Sequence, residues 1–271
     1  MTGISGLDGS IGSRRVRRRG VSVVGTALVL AMALGACSST DKDAATAPSS
    51  TVVAVAGTMD ERISGPADGT TPTPGGPLVM GVEADTEAMD PGRVPLAASG
   101  YFIASSVFDS LATLDENGKA VPFLATSIES SNDAKTWTVT IPKDVKYHNG
   151  DPLTAEAVAK VLNFYRESTI TGSFFRTVTS IVPEGDDKIV IELSEAWVGF
   201  PVSLTTQVGY VMHPSMIDDT ALAFTPIGTG PFVHDRRVPG ESWSFRKNPD
   251  YWRKDAEGRS LPYLDEIDFL V

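Results

Sequence analysis

The sequence contains one cysteine, Cys37, and three histidines in 271 residues. No disulfide can form within the chain, so its fold must hold by packing even outside the cytosol. Also missing is an apolar run of the roughly 20 residues that span a bilayer. The longest apolar stretch, Val21 to Ala33, falls well short of it. There is no Gly-x-Ser-x-Gly elbow, no His-Glu-x-x-His helix and no phosphate-cradling glycine loop, so no enzyme activity is expected. His148, His213 and His234 stand far apart, and neither metal ligation nor a cofactor is expected of them. Acid pairs such as Asp186-Asp187 and Asp218-Asp219 read as solvated loop charges. Positive charge is scarce too: the chain carries a net charge of −11. Nucleic acid is therefore excluded as a partner.

What positive charge there is gathers at the front. Arg14, Arg15, Arg17, Arg18 and Arg19 precede the apolar stretch, and small residues lead into Leu34-Gly35-Ala36-Cys37. This arrangement resembles a bacterial lipoprotein signal. The resemblance implies a signal peptide over 1–36, a diacylglyceryl group on the Cys37 thiol, and cleavage that leaves Cys37 as an acylated N-terminus. Removal of residues 1–36 leaves 18 basic against 33 acidic side chains. An acidic body is not drawn to an anionic lipid surface, so membrane contact is expected through Cys37 alone. The expected location is the outer face of the cell membrane, or the periplasm where an outer membrane exists.

Residues 37–77 are mainly Ser, Thr, Ala, Asp, Gly and Pro and end in Thr71-Pro72-Thr73-Pro74-Gly75-Gly76-Pro77. Such a segment cannot bury a core and reads as a tether with an extended, proline-rich end. Residues 78–271 form the folded body. Leu78 to Val82 reads as a buried strand and Ser99 to Leu111 as a helix with one apolar side. Thr136 to Ile141 and Lys188 to Leu193 alternate as half-buried strands do, the second paired in a hairpin with Arg176 to Val182. Asn149-Gly150 is a turn signal, and Thr154 can cap a helix that places Val158, Val161, Leu162 and Tyr165 on one face. Further strands are expected at Gly209 to Met212, Gly230 to Asp235, Ser242 to Arg246 and Glu266 to Val271. Strands and helices mix without strict βαβ repetition, which makes the class α/β, of the mixed α+β kind.

Three blocks carry a further likeness. The first is Val107-Phe108-Asp109-Ser110-Leu111 with Asp115 to Ala125, followed by Trp137 to Val158 through Tyr147-His148-Asn149-Gly150. The second is Ile227-Gly228-Thr229-Gly230-Pro231-Phe232. The third is Arg246-Lys247-Asn248-Pro249-Asp250-Tyr251-Trp252 with Leu261 to Ile267. In this order the blocks resemble the family 5 extracellular solute-binding proteins, the oligopeptide, dipeptide and nickel-type binding components of ABC importers. The resemblance implies a periplasmic-binding-protein type II-like fold with the first lobe present and the second lobe largely missing, so the chain is expected to be a fragment. Each block also has a scaffold reading. Gly228 and Gly230 offer two residues free to take positive φ, Pro231 fixes another, and Tyr251-Trp252 can cover the core.

The implied function is capture of an oligopeptide or similar small solute outside the cell, by a monomer serving ABC permease and ATPase subunits. A lipid-anchored sensor or adhesion protein on the same scaffold is the alternative. The loop after the first strand is implied to lie near the cleft, with Glu83, Asp85 and Thr86 as ligand-binding residues and an acid there pairing with a peptide's amine. Tyr101 and Phe102 would offer ring surface. The structural alternative is that Glu83 and Asp85 are exposed loop acids, Thr86 a backbone-bonding hydroxyl, and Tyr101 and Phe102 a core-facing helix start.

Overall fold

Alternation puts Trp137 and Val139 on one face of their strand and three threonines on the other, and both apolar side chains are fully buried. The computed structural model describes residues 71–271. Cys37, the signal segment and the tether as far as residue 70 lie outside the described residues, and the lipidation expectation lies there with them. In chain order the elements are β1 (Pro77–Gly81), α1 (Ala98–Val107), the short pair β2 (Ala112–Leu114) and β3 (Ala120–Pro122), then β4 (Ser127–Ser131) and β5 (Thr136–Thr140). They continue with α2 (Ala155–Glu167), β6 (Val178–Glu184), β7 (Lys188–Leu193), α3 (Phe200–Ser203), α4 (Ser215–Asp218), β8 (Phe232–Val238), β9 (Ser242–Lys247) and β10 (Glu266–Leu270).

Two four-stranded sheets carry the body. One, ordered β4-β5-β7-β6, is antiparallel throughout. Its register stacks Ile128 beside Val139 and Ile189, and Trp137 beside Ile191, so the core face is continuous across strands. Against it lies α2, with Val158, Val161, Leu162 and Tyr165 buried. The Thr154 hydroxyl accepts the Ala157 N–H at 3.1 Å, the cap that the sequence predicts. The other sheet is ordered β1-β10-β9-β8, with β1 parallel to β10 and the remaining pairs antiparallel. Trp243, Phe245 and Phe269 form its aromatic core, with Trp243 stacked on Phe245 and Phe245 edge-on to Phe269.

Several expectations need correction. The first strand is not buried: Leu78 is 37% and Val79 57% exposed, β1 being the edge strand of its sheet, and within it only Met80 is partly buried against the core. The helix expected to Leu111 stops at Val107, where Phe108 turns extended. Tyr210 and Met212 make single bridges, to Ser110 and Gly228, in place of a strand. The turn at Asn149-Gly150 is present, with Gly150 at φ +90°.

Just past the end of α1 stands Asp109. This carboxylate is 1% exposed and accepts three hydrogen bonds from remote residues. The Thr229 hydroxyl donates at 2.9 Å, the Tyr251 hydroxyl at 3.0 Å and the Trp252 indole N–H at 2.8 Å. Three sequence blocks thus meet at one side chain. The glycines around Thr229 serve this approach by their lack of a side chain, not by positive φ, which neither adopts. A Cβ on Gly228 would stand 2.1 Å from the Val107 carbonyl oxygen, and one on Gly230 would stand 2.6 Å from it. The Gly230 N–H donates to that same oxygen at 2.9 Å.

His148 fastens the other side of the segment. Its Nε2 pairs with the Gly230 carbonyl at 3.0 Å, which assigns the proton there, and its Nδ1 accepts the Gly228 N–H at 3.4 Å. Burial lowers the His148 pKa to about 4, only partly opposed by the Gly230 bond. Burial raises the Asp109 pKa to about 6, against the pull of its three donors and Arg253. The signs are opposite. A depressed histidine contributes stability above its unfolded value that is lost as pH falls toward 4. A raised carboxylate contributes stability that is gained as pH falls through 6. The urea-measured advantage of wild type over His148→Asn is therefore expected to shrink between pH 6.5 and 4.5, by up to about 1.4 kcal/mol per pH unit. The advantage over Asp109→Asn is expected to grow over the same range.

Candidate functional site

Residues 82–97 cross from β1 to α1 without regular structure, so their shape depends on side chains that satisfy their backbone. Three anchors do this. Asp90 accepts the N–H groups of Gly92 and Arg93 and pairs with the Arg93 guanidinium at 2.6 Å. Arg93 also donates to the carbonyls of Met216 and Ile217 and lies over the Phe164 ring. The buried Gln207 amide donates to the carbonyls of Pro91 and Val94 and accepts the Leu96 N–H at 3.0 Å.

Asp85 is the third anchor. Its carboxylate accepts the Trp243 indole N–H at 2.8 Å, the Gly240 N–H at 2.9 Å and the Arg237 guanidinium at 3.2 Å. Partial burial pushes its pKa up, but the bonds from Gly240 and Trp243 and the Arg237 charge outweigh it and hold the carboxyl below its ordinary value. Arg237 is itself stacked over Trp243 and Phe224. The β8–β9 hairpin is thereby tied to the loop after β1.

The five residues expected at the cleft are not all brought together. Asp85 and Thr86 line a pocket of about 200 Å³ with Val94, Pro95, Ser99 and Gly100. The Thr86 hydroxyl is buried and donates to the Ala88 carbonyl at 3.2 Å. Glu83 is exposed on the same loop. Tyr101 lies off the pocket, its hydroxyl accepting the Gln207 N–H at 3.3 Å and its ring tilted against Tyr210. Phe102, on α1, does not line the pocket and is 59% exposed. Sequence reasoning missed Gln207, Arg237 and Trp243. They stand over 100 positions from the loop that they hold, and no local pattern marks them. Such a loop can grip a ligand through fixed polar groups. Among the described residues no group of three His, Cys, Asp or Glu side chains could hold a metal ion.

A sequence profile of the bacterial extracellular solute-binding proteins, family 5, matches residues 119–271. The chain belongs to that family. Similar curated proteins include the nickel-binding periplasmic protein of Escherichia coli, 28% identical over 63% of this chain and 33% of that protein. A putative ABC transporter peptide-binding protein of Brucella ovis is 31% identical over 58% of this chain and 32% of its own length. The chain thus spans about a third of the curated relatives it matches. Among solved structures, the binding protein AgaA of A. tumefaciens R10 in complex with agropinic acid overlays with a TM-score of 0.64 at 24% identity, covering 72% of this chain and 39% of that one. AppA of Bacillus subtilis with a nonapeptide gives 0.61 at 24% identity, over 74% and 41%. The family 5 chain has the type II periplasmic-binding-protein fold, and what is present corresponds to about two fifths of those structures.

The two loop acids of this family 5 chain should behave differently on substitution. Asp85→Asn removes the charge that three donors converge on and is expected to lower stability by roughly 1–3 kcal/mol in urea unfolding followed by tryptophan fluorescence. Exposed Glu83→Gln should stay within about 0.5 kcal/mol of wild type. Equal effects would show that Asp85 is not an anchor.

Proposed function

We propose that the chain is the leading part of a membrane-anchored substrate-binding component of an ABC importer, capturing oligopeptides or similar small solutes outside the cell. The observation that carries this reading is the loop after β1. Its backbone is fixed by Asp85, Asp90 and Gln207, while Glu83 and Glu87 remain exposed beside a small pocket. A fixed loop loses little entropy on binding. Its exposed acids favour a ligand with an amino group, and Phe102 offers a ring to a side chain. The relatives support solute capture as the activity, being named as nickel-binding and peptide-binding proteins.

In the proposed mechanism a solute is enclosed between this lobe and a second one, and closure is favoured because the ligand touches both walls. Permease and ATPase subunits then respond to the closed state. Asp85 and Thr86 act by holding the loop, and Glu83 is the free acid that meets the ligand's amine. Cys37 is the lipid attachment point, which keeps the trap at the membrane through the tether.

Two experiments test this. Equilibrium dialysis of the native gene product against short peptides should show saturable binding that Glu83→Lys weakens by about tenfold, by replacing attraction with repulsion. Unchanged binding would remove Glu83 from the site. Radiolabelled lipid precursor should enter wild type and not Cys37→Ala, and equal labelling of both would remove the anchor.

A further inference from the structure

A second hollow lies away from the loop after β1. It has a volume of about 460 Å³, within the range of small-molecule sites, and shares no lining residue with the Asp85–Gly100 pocket. Two turns form its walls, one around Lys146 to Gly150 and the other around Arg246 to Asp250. Both are fastened to the Gly228–Pro231 segment. His148 bonds to Gly228 and Gly230, while the buried Asn248 amide donates to the Gly230 carbonyl and its own oxygen accepts the Asp250 N–H. Tyr147, also lining the hollow, is 3% exposed and packs edge-on to His213, which in turn pairs with Asp151 at 3.1 Å. The walls are therefore set before any ligand arrives.

The charge of this hollow runs against that of the chain. Lys146, Arg246 and Lys247 line it, opposed by the one acid Asp250 in its lining, in a protein whose net charge is −11. Some cations elsewhere sit on carboxylates, as Arg93 does on Asp90, Lys160 on Asp218, Arg237 on Asp85 and Arg259 on Asp255, while others, such as Lys135 and Lys188, make no ion pair among the described residues. Among the described residues, Lys146, Arg246 and Lys247 have no ion-pair partner. Three like charges held around one hollow repel, and a multivalent anion between them relieves that repulsion.

We propose that the hollow between the Lys146–Gly150 and Arg246–Asp250 turns binds a small multivalent oxyanion, of the phosphate or tricarboxylate class. The Arg246 guanidinium supplies a planar fork for two oxygens and the lysines supply point charges. This inference stands apart from the peptide reading, since it uses other residues and another ligand chemistry.

Titration calorimetry of the chain with inorganic phosphate and with citrate, in low-chloride buffer, tests it. The expected result is saturable one-to-one binding by at least one of the two, in the order of millimolar or tighter, weakened roughly tenfold or more in Lys146→Gln/Arg246→Gln. Both substituted side chains are exposed, and an unchanged urea midpoint confirms that the variant is folded. Lys135→Gln/Lys188→Gln, which removes two exposed cations elsewhere, should leave binding as in wild type. No saturable binding of either anion, binding unaffected in the first variant, or equal weakening in the second would overturn the proposal.

Discussion

A carboxylate with almost no access to water can stay in a fold only when its oxygens are met by donors, because an uncompensated buried charge costs several kcal/mol. Asp109 meets that condition with donors that lie about 120 and 140 positions further along the chain. The condition is mutual: Thr229 and Trp252 would each lose a partner without it. Satisfying all four groups requires the end of α1, the Gly228–Pro231 segment and the Tyr251-Trp252 turn to be in place together. A native state with one arrangement follows from such a constraint more readily than from apolar packing alone, which tolerates several arrangements.

From that point the rest of the body is positioned in both directions. The Gly228–Pro231 segment runs directly into β8, and the β8–β9 hairpin carries Arg237, Gly240 and Trp243 to the Asp85 carboxylate. One of the three anchors of the loop after β1 is thus met by residues that the Asp109 cluster has placed. On its other flank the same segment carries His148 and Asn248, which set the walls of the basic hollow. One buried cluster therefore stands behind both of these surfaces.

Much of this could be read in the sequence where the signal was local. The Thr136 to Ile141 and Lys188 to Leu193 alternations, the Thr154 cap and the Asn149-Gly150 turn each need only a few neighbouring residues, and each is present. The three family blocks were legible as blocks, and the structure shows their side chains bonded to one another. What escaped was long-range. Nothing near Gln207 or Trp243 indicates that either reaches the loop after β1. Leu78 and Val79 look like core residues by composition, yet their exposure depends on β1 lying at the edge of its sheet. Gly228 and Gly230 suggest positive φ to any local reading, whereas the close approach of Val107 is what excludes a Cβ. Of the five residues expected at the ligand, Asp85 and Thr86 share a pocket wall, while the placement of Tyr101 was decided by Gln207 and Tyr210.

The claim on which the account rests is that Asp109 and its donors act as one unit. A double-mutant cycle between Asp109→Asn and Trp252→Phe, followed by urea unfolding at neutral pH, measures this directly. The account predicts a coupling of about 1 kcal/mol or more, since Trp252→Phe removes the donor and Asp109→Asn removes the charge that strengthens the same bond. Effects that add to within about 0.3 kcal/mol would show the two residues to be independent and would contradict it.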